Sequence, residues 1–105
     1  MSENDRRLEL EAKLRDILGS NNVYFQPPNG AQLHYPCIIY KRDGADSVYA
    51  DDRTYRYTQE YQIMYIDKSP KNNVVERIIE EFSMVRYGRH YVADNLNHDI
   101  LLLYY

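Results

Sequence analysis

Between Thr54 and Asp67 the chain reads TYRYTQEYQIMYID, and its residues alternate in character for longer than an average strand lasts. Tyr55, Tyr57, Tyr61, Ile63 and Tyr65 fall on one side; Arg56, Thr58, Glu60, Gln62, Met64 and Ile66 fall on the other. Side chains of an extended chain point alternately to two faces, so this period of two predicts a long strand with an aromatic face and a mostly polar one. Such a strand belongs in a sheet, and at least its early part is expected to meet solvent or another subunit.

The other segments supply the rest of a small fold. Residues 5 to 18 carry Leu8, Leu10, Leu14, Ile17 and Leu18 among charged residues, and the 10, 14, 17, 18 spacing makes one apolar stripe at helical period. Gly19 then stands where a helix C-cap belongs. VYF at 23 to 25 predicts a short strand ended by QPPNG, whose prolines remove donors and favour a turn. YPCIIYKRD, 35 to 43, predicts a strand with Pro36 at its start or on an edge. SPKNNVVERIIEEF predicts a second helix, with Ser69 as N-cap, Pro70 at the first helical position and Val74, Val75, Ile78, Ile79 and Phe82 as its buried stripe. VRYGRHYVADNLNHDILLLYY predicts two strands around a hairpin turn in ADNLN, with ILLLYY as the buried returning strand. The order α-β-β-β-α-β-β predicts an α+β fold: a mostly antiparallel sheet of four to five strands with two helices on one face. The other face, carrying many of the tyrosines, is then left for a partner.

A chain of 105 residues makes one domain with one core, here residues 1–105, of which 1–4 are expected to be disordered. Thirteen Lys plus Arg against sixteen Asp plus Glu leave a net charge of −3, too even a balance for tight nonspecific binding of nucleic acid. The single cysteine, Cys37, lies in an apolar run and predicts a buried small hydrophobe in a reducing compartment. The opening MSENDRRLELEAKL is charged throughout and lacks the apolar core of a signal peptide, so the mature protein is expected to begin here. ILLLYY is far shorter than the roughly 20 apolar residues that cross a bilayer, so no membrane role is expected. Twelve Tyr and no Trp make a Tyr-rich sheet an interface candidate, because Tyr joins a large apolar ring to a polar tip. The same rings could equally fill the two faces of a small sheet.

His90, Asp94, His98 and Asp99 are dense enough to raise a metal or acid/base site, with His34 as a possible further ligand, but their spacing matches no recognised ligand set. Asp94 and Asn95 are the residue types a turn requires. Asp51, Asp52, Asp67, Asp94 and Asp99 lie in separate segments with nothing to force convergence, and no phosphate-loop, nucleophile-elbow or zinc-protease motif occurs. The expectation is a protein that is not an enzyme and uses no cofactor or metal. Arg42, Arg53, Arg56, Arg86 and Arg89 alternate with tyrosines, as on platforms for single-stranded nucleic acid, yet neighbouring carboxylates cancel much of the charge. A solvated face, or arginines pairing with carboxylates across a subunit interface, fits better. DGADSVYADDRT, 43 to 54, is expected to be a long polar loop, either functional or idle.

Taken together, NVYFQPPNGAQLHYPCIIYKRD, the aromatic strand ending YIDKSP, the short amphipathic helix and the closing RHYVADNLNHDILLLYY resemble the small neck or tail proteins of long-tailed bacteriophages. The resemblance runs from about Leu8 to Tyr105 and is greatest to the tail terminator group, also called tail completion or tail-to-head joining proteins. It implies a non-enzymatic virion protein, assembled in the bacterial host cytoplasm, that forms a homohexameric ring on the last ring of the tail tube. There it would end tube polymerisation and dock on the head connector proteins, with viral DNA passing through the channel without specific binding. A slightly acidic subunit suits such a channel, since carboxylates repel phosphate. A head-completion or connector protein is the related alternative, and a small metal-binding domain a more distant one. The family has no catalytic residues to carry over. Tyr49, Asp51, Asp52, Arg53, Tyr55, Tyr57, Tyr61, Arg89, His90, Asp94 and His98 are the candidate contacts with another subunit or the tube.

Overall fold

Leu10, Leu14 and Ile17 recur at the spacing of one helical face, and they are the residues that helix α1, Glu3–Leu18, buries. Leu8 lies off that stripe and is 47% exposed. Ion pairs of Glu11 with Arg7 (3.5 Å) and Arg15 (2.9 Å) brace the helix one turn in each direction. The helix stops where Gly19 takes φ +81°, a left-handed conformation cheap only for glycine, and its N–H closes on the Arg15 carbonyl at 2.8 Å. The computed structural model describes residues 3–50 and 53–105, with the backbone alone described at 3, 45–50 and 53–57. Helix α1 includes residues 3 and 4, and residues 1 and 2 of the stretch expected to be disordered lie outside the described residues.

Five strands follow: β1 Val23–Phe25, β2 Cys37–Ala50, β3 Arg53–Asp67, β4 Val85–Ala93 and β5 Leu96–Tyr104, with α2, Val74–Glu81, between β3 and β4. They form one sheet in the order β1-β2-β3-β5-β4, antiparallel except for the β1–β2 pair. This is the α+β fold that the sequence predicts, in the predicted order of elements. Because β1 and β2 are parallel, residues 26–36 must return along the length of the strand; the His34 N–H donates to the Tyr24 hydroxyl at 3.3 Å and ties this return to β1. Pro36 directly precedes β2, where no ladder donor is needed.

Both helices pack on one face. There Leu10, Leu14 and Ile17 of α1 and Val74, Ile78 and Phe82 of α2 meet Ile38 and Tyr40 of β2, Tyr61, Ile63 and Tyr65 of β3, and Leu101 and Leu103 of β5. Full burial of each such aliphatic side chain stabilises by roughly 1.5–3 kcal/mol. Arg77 joins the helices by donating to the Ile17 carbonyl at 2.7 Å. The tyrosines can lie here because their hydroxyls find partners at the rim of the core. Tyr40 donates to Glu11 at 2.7 Å and accepts from Arg7 at 3.0 Å, and Tyr65 donates to Asp67 at 2.7 Å.

Three expectations need correction. Helix α2 starts at Val74, not after Ser69. The Asp67 carboxylate accepts the Ser69 N–H (3.1 Å) and the Ser69 hydroxyl accepts the Lys71 N–H (3.2 Å), so these residues build turns before the helix, and Asn72 caps the Val74 N–H at 3.1 Å. Ile79 is 43% exposed, since an eight-residue helix buries only the Val74–Ile78–Phe82 line. Segment 43–54 is not a long loop: β2 runs on to Ala50 and β3 begins at Arg53, leaving 51–52 as the whole connection.

Candidate interaction surface

The face away from the helices is aliphatic at its centre. Register puts Ile39, Met64 and Ile100 in one row across β2, β3 and β5, and Lys41, Gln62 and Leu102 in the next. All of these but the exposed Lys41 are half-buried, and no helix lies over them. Cys37 and Ile66 at one end of this face are buried, and burial pushes the Cys37 thiol up to about 11, which keeps it neutral and unreactive.

Strand β4 brings two arginines to the same face through a bulge. Tyr87 pairs with Leu101 and Arg89 with Ile100, so Gly88 is an extra residue in the ladder. Without it, Arg86 and Arg89 would point to opposite faces; with it, Arg86 stands opposite Leu102 and Arg89 opposite Ile100, both on the open side. Only glycine fits at the bulge, because a Cβ there would lie 2.9 Å from the Ile100 carbonyl oxygen. The Arg89 guanidinium lies 5.2 Å over the Tyr91 ring, and Tyr91 stacks on His98 at 4.6 Å with 7° between the planes. Among the described residues neither Arg86 nor Arg89 meets a carboxylate. Arg86, Met84, Val85, Leu102 and Tyr104 line a shallow depression beside the row.

The second feature is an arm. Strand β3 pairs with β5 only as far as Glu60 opposite Tyr104, whereas its pairing with β2 continues to Arg53 opposite Ala50. From Asp46 and Thr58 outward the two strands form a ribbon that, among the described residues, has no third strand. The fifteen residues of β3 span about 50 Å at the usual rise per residue, which matches the molecule's longest dimension of 51 Å. Over 46–58 the sequence of the arm holds three aspartates and two arginines.

The structure distributes the predicted contact residues widely. Arg89 and His98 lie on the open face. His90 lies on the opposite one, paired with Asp99 and 3.1 Å from the Asn97 side chain. The two histidines therefore point away from each other across the sheet, which removes the shared metal site that their spacing raised. His98 instead donates through Nδ1 to the Leu96 carbonyl at 3.0 Å, and Asp99 accepts from the Tyr87 hydroxyl at 2.6 Å. That bond, more than burial, pushes the Tyr87 phenol up to about 12. Asp94 sits in the hairpin turn with Asn95, at φ 53° and 61°, as a two-residue turn of the tightest kind requires. Tyr61 is a correction: at 1% exposure it is core, because its face of β3 is the one the helices cover. For the same reason the open face is not the tyrosine face; it carries Tyr24, Tyr91 and Tyr104 around an aliphatic centre. Tyr49, Arg53, Tyr55 and Tyr57 belong to the arm by backbone, their side chains lying outside the described residues, as do Asp51 and Asp52 entirely. Sequence reasoning missed Ile39, Met64, Ile100, Leu102 and Arg86. A signal existed in the run from Ile100 to Leu103, which is apolar at both parities and so marks a strand with two apolar faces.

Among the described residues no group of three or more His, Cys, Asp or Glu is placed to hold a metal, and no helix is long and apolar enough to cross a membrane. Compared with known proteins, the chain matches no family model, no curated protein and no solved structure.

Proposed function

We propose that this chain is a ring-forming structural subunit of the tail-terminator kind, which sits on the head-proximal end of a phage tail tube, stops its growth and joins tail to head. One observation carries the reading: a single subunit presents two unlike surfaces, an aliphatic sheet face edged by arginines and a projecting two-stranded arm. A ring closed by rotation is built from heterologous contacts, so each copy needs two different, complementary patches. The resemblance of the sequence to tail terminators supplies the setting: the virion neck, with tail tube protein on one side and head connector on the other. A net charge of −3 suits a subunit that lets DNA slide past without holding it.

Electron microscopy of the concentrated protein, alone and mixed with tubes assembled from the cognate tail tube protein, tests this. Annular particles and rings seated on tube ends are expected. Fields without annuli, together with bare tube ends, would overturn it.

A further inference from the structure

We infer that the outer side of helix α2 of one copy of this chain covers the open sheet face of the next, Glu76 and Glu80 meeting Arg86 and Arg89. The inference rests on the ring reading for its premise that copies join through unlike surfaces, and it names α2, not the arm, as what the sheet face receives. Charge is its first support. On the open side strands β4 and β5 place Arg86, Arg89 and His98 and no carboxylate, since their one acidic residue, Asp99, pairs with His90 on the opposite side. Helix α2 carries three glutamates against one arginine, and Arg77 is engaged with the Ile17 carbonyl. Glu76 and Glu80 are exposed, and among the described residues neither forms an ion pair, just as neither Arg86 nor Arg89 meets a carboxylate. Opposite charges facing one another across an interface set register and partner choice.

Spacing is the second support. The Gly88 bulge sets Arg86 opposite Leu102 and Arg89 opposite Ile100, two ladder positions or about 7 Å apart. Glu76 and Glu80 are one turn apart on α2, about 6 Å along its axis. A helix laid along β4 therefore offers one carboxylate to each arginine. Beside the two glutamates Ile79 is 43% exposed, and the depression lined by Met84, Leu102 and Tyr104 gives it an apolar seat. Layering is the third support. Helix α2 packs on one side of the sheet and the arginine row stands on the other, so the contact is heterologous and leaves each terminal copy with one unused patch. Every joint covers the bare side of a sheet with a helix, as α1 and α2 already cover the other side. Repetition either closes a ring or extends a row, and the ring reading requires the first.

Charge reversal on both sides tests the pairing, read by sedimentation of the full chain at low salt. Arg86→Glu with Arg89→Glu, and separately Glu76→Lys with Glu80→Lys, should each weaken self-association by about tenfold or more. Mixing the two variants should restore it, because each reversed patch then meets its opposite, and misfolded variants could not rescue one another. If association survives both reversals, other surfaces carry it: the pairing falls while the ring reading stands. Two weakened variants that fail to recover on mixing also overturn the pairing. A wild-type chain that stays monomeric to millimolar concentration overturns the pairing and counts against the ring as well.

Discussion

Arg86 and Arg89, three positions apart on one strand, stand on the same face of the sheet because Gly88 is an extra residue in the ladder. The bulge thus turns an ordinary edge strand into a row of positive charge beside an aliphatic surface. Gly88→Ala places a methyl 2.9 Å from the Ile100 carbonyl oxygen, so the strand must shift. A loss of about 1–3 kcal/mol in chemical denaturation is expected, together with weaker self-association. Gly44→Ala, whose Cβ would meet nothing closer than a Glu60 carboxylate oxygen at 3.6 Å, is the milder control.

Helix α2 offers a sharp contrast between neighbours. Ile78 is fully buried in the core, while Ile79 is exposed on the other side of the helix. Ile78→Ala should cost about 2–5 kcal/mol through the cavity it leaves, whereas Ile79→Ala should stay within about 0.5 kcal/mol. Equal costs in urea titrations would show that the helix is rotated from the face described.

Tyr40 ties the sheet to α1 by donating to Glu11 while accepting from Arg7. Tyr40→Phe keeps the ring and its contact with Phe25, at 4.9 Å between centroids, but removes both bonds. A destabilisation of about 1–3 kcal/mol is expected, since a charged partner on each side loses its bond. Thermal unfolding of the variant measures it.

Alkaline pH should unfold the protein earlier than ordinary side chains would. Burial raises the Cys37 thiol from 9.0 to about 11 and raises the Tyr40 and Tyr65 phenols above 10.0. With each folded pKa above its unfolded value, the folded state holds more protons as pH rises, so unfolding releases protons and stability falls. The contribution is complete below pH 9.0 and is lost upward, the thiol first. Denaturation midpoints measured from pH 7 to 11 should decline from about pH 9, and Cys37→Ala should move the onset to about pH 10. A midpoint unchanged at pH 11 would contradict this.

Local chemistry made much of this fold legible. The Leu10–Leu14–Ile17 spacing and Gly19 define α1, and Asp94–Asn95 defines the terminal hairpin. Alternation in β3 correctly grouped Tyr61, Ile63 and Tyr65, but periodicity says only that two faces differ, not which of them the helices cover. Tyrosine pointed the wrong way because its hydroxyl can be satisfied at the rim of a core, as Glu11 and Asp67 do here. The arm was hidden by Asp43, Gly44, Asp46 and Ser47, residues of low strand propensity that the backbone ladder with β3 nevertheless holds extended. The arginine row was hidden because its phase depends on the bulge at Gly88, which only the register of β5 discloses.

The central claim is that copies of this chain assemble by joining two unlike surfaces. Light scattering coupled to size exclusion, over a wide range of protein concentration, tests it most directly. The account predicts a discrete species near six times the 12.6 kDa of one chain, growing at the expense of the monomer as concentration rises. A monomer of 12.6 kDa at every concentration up to millimolar would contradict it.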